Sequence, residues 1–158
     1  MIRVAAAADI PRMLELGREM HAESRYARHA WDDAKVHALL LSLIVEDDGL
    51  ALVAEKGGQI IGGFLGWACD HWCTGARQSF DYALFVGAEH RGSLAGARLL
   101  LAYAKWARGR GVPDDLIGLG ITTGVDLAAS TRLFRLCGFE HVGHLFTYGD
   151  THARAPGH

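Results

Sequence analysis

The fold is decided by the stretch Leu84-Phe85-Val86-Gly87-Ala88-Glu89-His90-Arg91-Gly92-Ser93-Leu94-Ala95-Gly96. It begins as a strand, passes through a turn and runs into a helix. The first N–H groups of a helix have no partner within the helix and carry the positive end of its dipole. Small residues here leave the backbone open to a pyrophosphate, and Arg91 adds a positive charge. The stretch therefore favours a diphosphate-binding turn, and the alternative is an ordinary loop with incidental glycines.

Two other nucleotide-binding motifs fit this turn less well. A P-loop needs a Lys-Ser or Lys-Thr pair, and none follows Gly96. A Rossmann fingerprint opens a βαβ unit with three glycines, whereas this turn follows a run of strands.

Apolar periodicity places the other elements on both sides of the turn. It predicts strands at 2–5, 50–56, 59–68, 80–86, 116–121, 139–142 and 144–148, and helices at about 10–20, 33–44, 94–108 and 127–137. The candidate N-caps are Asp9 for the first helix, Asp32 or Asp33 for the second and Asp126 for the last. Gly57 and Gly58 lie between two apolar runs and predict a hairpin. The order β-α-α-β-β-β-α-β-α-β-β predicts a mixed α/β (α+β) sheet with helices on both faces. Residues 1–150 are expected to form one domain and 151–158 a disordered tail.

The composition is that of an ordinary globular protein. The chain has 158 residues, of which 50% are hydrophobic and 22% charged, with a formal net charge of −2. No basic block indicates a nucleic-acid partner, and no stretch reaches the ~20 apolar residues of a membrane span. Three cysteines form no even disulfide framework, which indicates a reduced, cytoplasmic protein. His71 and Cys73 lack further ligands, so no metal site is predicted.

Several stretches of the chain resemble motifs of the GNAT acyltransferase family. Its members carry an Arg-x-x-Gly-x-Gly/Ala turn after their fourth strand, which residues 91–96 resemble, preceded by a hydrophobic-x-Val-x-Pro-Glu stretch. They close with a helix that runs into Leu-Tyr and then Gly-Phe. The corresponding stretches here are Leu84-Phe85-Val86-Gly87-Ala88-Glu89 and Leu133-Phe134-Arg135-Leu136-Cys137-Gly138-Phe139-Glu140. Residues 2–3 and 9–10 are similar to the family's first strand and helix, so the resemblance covers almost the whole chain.

The resemblance implies both a fold and an activity. It implies a sheet whose fourth and fifth strands splay apart to hold acetyl-CoA as the cosubstrate. It also implies N-acetyl transfer to an amine of a small molecule or peptide, by direct attack in a ternary complex, with a strand N–H group stabilising the oxyanion. The residues that it assigns to the cofactor are Leu84, Phe85, Val86, Arg91, Gly92, Ser93, Leu94, Ala95, Gly96 and Ala97.

The chain departs from the family's pattern at four positions. Leu94 stands where the family usually has the first glycine of the turn, and Ala88 replaces a frequent proline. Leu127 falls near the usual asparagine, and Phe134 stands where many members have the tyrosine that protonates the leaving thiolate. These departures keep open a second interpretation, a non-catalytic GNAT-fold module that binds an acyl-CoA or a partner.

Direct transfer needs a base, because an ammonium cannot attack and an unperturbed lysine-like amine has a pKa of about 10.4. Asp81, on the strand entering the cleft, is the candidate base, and the alternative is an edge carboxylate facing solvent. Glu89 and His90 are further candidates beside the turn. Ser130 and Tyr148 are candidate proton donors; the alternatives are a helix hydroxyl bonded to a backbone carbonyl and a packing residue.

Aromatic residues in loops mark the candidate acceptor site, because members of the family bind acceptors there. The residues concerned are Tyr26, Trp31 and Trp72, and the alternative is that they cap a core. Many members of the family are dimers, so the resemblance also allows a homodimer.

Overall fold

A four-stranded antiparallel sheet lies at the centre of the computed structural model, which describes residues 1–148. In sheet order its strands are β1 (Ile2–Val4), β2 (Gly49–Lys56), β3 (Gln59–Asp70) and β4 (Arg77–Val86). Gly57 and Gly58 join β2 to β3 with φ of +57° and +77°, in the left-handed region that tight hairpin turns require. The hairpin predicted from this glycine pair is confirmed.

Four helices cover the two faces of the sheet. Helices α1 (Ile10–Glu23) and α2 (Asp33–Val45) pack on one face, and α3 (Ala95–Gly109) and α4 (Leu127–Leu136) on the other. Successive residues of a strand point to opposite faces, so Phe64 of β3 packs under α3 while Leu65 packs under α1 and α2. The predicted α/β class, with helices on both faces of one sheet, is confirmed.

Aspartates begin two of these helices by capping free N–H groups. Asp32 accepts a hydrogen bond from the Lys35 N–H at 3.0 Å at the start of α2, and Asp126 does the same for the Ala129 N–H in α4, also at 3.0 Å. Asp9, expected to cap α1, stands at its N-cap position without a cap bond to the helix. Its carboxylate instead binds Arg3, which anchors α1 to β1.

The strand predicted at 116–121 is reduced to a single parallel bridge between Ser79 and Ile117. The Gly118 N–H donates to the Ser79 carbonyl at 2.9 Å, and backbone pairing with β4 then ends. Ile117 is buried, which holds this point against the sheet. Beyond it the glycines at 118, 120 and 124 provide few side chains to pack, so pairing does not extend.

The two closing strands predicted at 139–142 and 144–148 are not formed, and that prediction was wrong. Both segments contain apolar and aromatic residues, but residues 140–148 are all exposed. A strand needs a hydrogen-bonding neighbour, and the neighbour predicted at 116–121 offers only the bridge at Ile117. The predicted tail at 151–158 lies outside the described residues.

Within residues 1–148, every helix is too short or too polar to cross a membrane.

Candidate active site

The turn between β4 and α3 is open at its centre. A short 3₁₀ turn, Ala88–His90, precedes it. Gly92 has φ +81°, and a Cβ added there would meet nothing within 4 Å. Leu94 occupies the N-cap position of α3, and its side chain is 65% exposed, so it does not plug the turn. The backbone at residues 92–94 is therefore accessible to a ligand.

Four N–H groups of this turn make no hydrogen bond within the described residues 1–148. They belong to Gly92, Leu94, Gly96 and Ala97. The next N–H, that of Arg98, already bonds the Leu94 carbonyl at 3.0 Å as the helix becomes regular. Free N–H groups at the positive end of a 15-residue helix suit an anion such as a diphosphate. The residues present thus fit the diphosphate of acetyl-CoA.

Gly96 has a second reason to be glycine. A Cβ at this position would lie 3.1 Å from Cδ2 of Leu133, which is on α4. The residue therefore lets α3 and α4 approach closely while it leaves its own N–H free. The sequence pattern identified the glycine but not this helix contact.

A β-bulge interrupts β4 beside the turn. Leu65 lies opposite Ala83 and Gly66 opposite Asp81, so Tyr82 has no partner on β3. The bulge brings both Ser79, before it, and Leu84, after it, to the α3 face. The one-residue shift lies next to Asp81, the candidate base, and reverses the alternation of side chains along β4 at that point.

Asp81 lies at the point where β4 and the chain after α3 separate. Its carboxylate accepts a hydrogen bond from the Gly120 N–H at 2.8 Å. Burial raises the pKa of Asp81 above its usual value, although this hydrogen bond opposes the shift. A carboxylate with a raised pKa beside an open sheet edge is chemically suited to accept a proton from an amine.

A buried polar network supports this separation from beneath. The Tyr103 hydroxyl donates to the Gly118 carbonyl at 2.6 Å and lies 2.9 Å from the Ser79 hydroxyl. Tyr103 is fully buried, and burial raises its pKa, so the phenol stays protonated. The network therefore ties α3 both to β4 and to the chain that follows α3.

Arg91, the first residue of the turn, is paired rather than free. Both of its terminal nitrogens bind the Glu23 carboxylate, at 2.7 and 3.0 Å, and its Nε donates to the Val86 carbonyl at 3.3 Å. The charge that the sequence indicated for the turn is thus shared with the end of α1. The partner lies 68 residues away in the chain, and no sequence motif marked it.

The candidate site lies within a region that matches a known protein family. Residues 14–139 match the acetyltransferase (GNAT) family. The chain belongs to this family. A search of curated protein sequences finds no match.

Solved structures with the same fold include several acetyltransferases. An aminoglycoside 6'-N-acetyltransferase from Acinetobacter haemolyticus is 18% identical with a TM-score of 0.72, over 94% of this chain and 97% of that one. A ribosomal-protein-alanine N-acetyltransferase from Brucella melitensis is 17% identical with a TM-score of 0.68, over 94% and 99%. A transcriptional regulator from Bacillus halodurans reaches 0.72 at 18% identity, over 94% and 99%. At these identities the likeness concerns the GNAT fold alone.

The aromatic residues predicted for the acceptor site of this GNAT protein lie in different surroundings. Trp31 packs against Gly17 of α1, and its Nε1 donates to Asp33 at 3.0 Å. Tyr26 is half-buried with the Arg25 guanidinium 5.1 Å from its ring centre. Trp72 is 87% exposed in the loop between β3 and β4. The structure does not bring the three rings together.

Three other aromatic rings, which the sequence analysis did not single out, do come together. Trp67 on β3 lies 5.7 Å from Phe80 and 6.3 Å from Tyr82, measured between ring centres. Phe80 and Tyr82 are exposed, and they flank Asp81 in the chain. Cross-strand pairing on one face, which the sequence does not display, creates this cluster.

The two candidate proton donors of the GNAT protein stand apart from Asp81. Ser130 is half-buried on α4, one turn before Phe134, which packs against the core under α3. Tyr148 is fully exposed in the unpaired segment after α4. No hydrogen bond joins either hydroxyl to Asp81 within the described chain.

Proposed function

We propose that this GNAT protein transfers an acetyl group from acetyl-CoA to an amine of a small molecule or peptide, by direct attack in a ternary complex. The observation that carries the proposal is the set of four unpaired N–H groups at 92, 94, 96 and 97 at the start of α3, of which Gly92 and Leu94 belong to exposed residues and Gly96 to a buried one. Family membership makes acetyl-CoA the expected anionic ligand for them.

The outer edge of β4 provides for the rest of the cosubstrate. Within the described residues this edge has one backbone partner, the bridge at Ser79. Residues 84–86 therefore keep outward backbone groups that can pair with the amides of the pantetheine arm. A strand N–H at Phe85 or Val86 is the proposed donor to the oxyanion that forms when the amine attacks.

Asp81 is the proposed base. Its raised pKa lets it compete for the proton of the acceptor amine, directly or through one water. Loss of that proton yields the neutral amine, which attacks the thioester carbonyl. As the C–S bond breaks, the thiolate takes a proton from the donor on α4, and the nitrogen gives up a second proton, which restores that donor. The thiolate is a tolerable leaving group, because a free thiol has a pKa of about 8.5, so transfer does not require a tyrosine at 134. Ser130 is the proposed proton donor on α4.

The acceptor is proposed to approach past Tyr26 and Trp31, on the chain between α1 and α2, and past Trp72. The names of similar folds guide the choice of acceptors to test, since two are an aminoglycoside and a ribosomal-protein-alanine N-acetyltransferase. Aminoglycosides and peptides with an N-terminal alanine therefore form the panel.

A non-catalytic module that binds acyl-CoA is the second candidate function. Phe134, which lacks the hydroxyl that many members have at this position, favours it. Mass spectrometry for free CoA and acetylated amine separates the two candidates. We expect acetyl-CoA-dependent acetylation of at least one amine, whereas binding of acetyl-CoA without turnover across the panel would support the module.

A further inference from the structure

The end of α1 is joined to the proposed diphosphate-binding turn by one ion pair. Glu23 is the last residue of α1, and its two carboxylate oxygens lie 2.7 and 3.0 Å from the terminal nitrogens of Arg91. The same guanidinium holds the Val86 carbonyl at the end of β4. One side chain of α1 therefore binds Arg91, which is the only arginine between residues 87 and 97.

The residues after Glu23 continue to the opposite side of the cleft. The Arg25 N–H donates to the Thr123 carbonyl at 2.8 Å, and a Cβ placed on Gly124 would lie 3.9 Å from Cβ of Arg25. Residues 23–25 thus connect the end of β4 with the chain that follows the Ile117 bridge. They also open the segment 24–32, which contains Tyr26 and Trp31.

The ion pair between Arg91 and Glu23 lies at the surface of the protein. Both side chains are partly exposed, at 43% for Arg91 and 41% for Glu23, and exposed ion pairs contribute little to stability. Arg91 lowers the pKa of Glu23, which favours the charged carboxylate. A charged carboxylate beside free N–H groups repels a diphosphate and reduces the positive charge that Arg91 presents to it.

We propose that Glu23 is a positioning residue that holds Arg91 away from the cofactor site, and that diphosphate binding transfers Arg91 from Glu23 to the phosphate oxygens. The exchange frees the end of α1 and the segment 24–32 that follows it. Cofactor binding is thereby coupled to the region proposed for the acceptor. This inference rests on the proposed function, since it needs acetyl-CoA at the turn.

Calorimetric titration of acetyl-CoA into Glu23→Gln tests the exchange. The amide keeps the shape of the side chain but not its charge, so Arg91 is released and acetyl-CoA should bind about fivefold more tightly than to the wild type. S-acetylpantetheine, which has no diphosphate, should bind both proteins equally. Glu19→Gln is the matched control, because Glu19 lies one turn earlier on α1 and acts on Arg91 through charge alone. It should change acetyl-CoA affinity less than twofold.

If Glu23 only stabilises the turn, Glu23→Gln will bind acetyl-CoA with the same affinity as the wild type or a lower one. That result would exclude the transfer of Arg91 to the phosphate oxygens. Acetyl-CoA that fails to bind the wild-type protein would instead overturn the proposed function.

Hydrogen exchange of residues 24–32 supplies a second readout. We expect acetyl-CoA to speed exchange there in the wild type, and Glu23→Gln to show the faster exchange before any ligand is added. Equal rates of hydrogen exchange in both proteins, with and without acetyl-CoA, would contradict the coupling. If Glu23→Gln does not fold, Glu23→Asp is tested instead. This variant keeps the charge, so the proposed transfer of Arg91 predicts wild-type affinity for acetyl-CoA.

Discussion

The carboxylate of Asp81 accepts a hydrogen bond from the N–H of Gly120 at 2.8 Å, where β4 and the chain after α3 cease to pair. A side chain thus takes a backbone donor that a continued parallel ladder would have used. The Asp81 side chain lies between the backbone of β4 and that of residue 120, so the two backbones are linked by one hydrogen bond but do not pair directly. Asp81 therefore helps to shape the cleft in which we propose that it acts as the base.

Replacement of Asp81 by Asn should separate these two roles. The amide oxygen can still accept from Gly120, so the cleft should keep its shape, but the side chain can no longer take a proton. We expect kcat to fall on the order of 100-fold with little change in the KM for acetyl-CoA, measured by steady-state kinetics with an amine from the panel. Glu89→Gln, which removes the alternative candidate base beside the turn, should retain activity if Asp81 is the base. Full activity of Asp81→Asn would exclude Asp81 as the base.

The raised pKa of Asp81 also predicts how activity and stability depend on pH. The base must be ionised, so kcat should fall as pH is lowered through this raised pKa. For stability the sign is opposite: the folded state binds this proton more tightly than the unfolded state, whose Asp pKa is about 3.9. The contribution of Asp81 to stability is present below that value and is lost as pH rises through the folded pKa. Thermal melts should show that the melting temperature of Asp81→Asn increases relative to that of the wild type as pH rises through the folded pKa.

Gly92 should be needed for both conformation and binding. With φ at +81°, an alanine there is strained by about 1–2 kcal/mol, and the turn will shift to relieve the strain. Gly58→Ala is the matched control, since φ is +77° in the β2–β3 hairpin and a Cβ also meets nothing within 4 Å. Chemical denaturation should show a similar loss for both, whereas calorimetry should show about tenfold weaker acetyl-CoA binding for Gly92→Ala alone. Equal affinities in the two variants would argue against the turn as the binding site.

Tyr103→Phe should destabilise the protein and loosen the cleft. The variant leaves the Gly118 carbonyl and the Ser79 hydroxyl without the phenol, and an unsatisfied buried group costs about 1–3 kcal/mol. Urea denaturation measures this loss, and Tyr82→Phe, on an exposed ring, should change stability by less than about 0.5 kcal/mol. If Tyr103→Phe leaves the free energy of unfolding unchanged, the network does not hold the segment after α3.

Phe134→Tyr tests whether the missing hydroxyl limits the reaction. Phe134 is half-buried on α4 and packs beside Phe139. A tyrosine there restores the proton donor that many members of the family have, so kcat should rise severalfold if the thiolate leaves unassisted in the wild type. Ser130→Ala should lower kcat if Ser130 supplies the proton. Turnover that is unchanged in both variants would place the proton source elsewhere.

Local signals in the sequence predicted the elements that depend on neighbouring residues. The glycine pair at 57–58 predicted the hairpin, and an aspartate at 32 or 33 and Asp126 predicted two helix starts, because turns and caps depend on residues only a few positions apart. The strand at 116–121 and the closing strands were predicted from their pattern, but a strand also needs a partner, and here the first finds one bridge and the others none.

Features of the site that join distant parts of the chain could not be predicted in this way. The bulge at Tyr82 depends on how β3 and β4 align, and the alternating pattern carries no record of an extra residue. The pairing of Glu23 with Arg91 spans 68 residues, and two opposite charges among 34 charged residues give no sign that they meet. The motif found the turn at 91–96, but only the fold revealed what holds its arginine.

Amide chemical shifts of the ¹⁵N-labelled protein, recorded as acetyl-CoA is added, test the central claim most directly. If the start of α3 binds the diphosphate, the N–H signals of Gly92, Leu94, Gly96 and Ala97 should show the largest shifts, moving downfield as they gain an anionic acceptor. Signals of these four residues that stay in place while acetyl-CoA shifts others, or shifts none, would contradict the account.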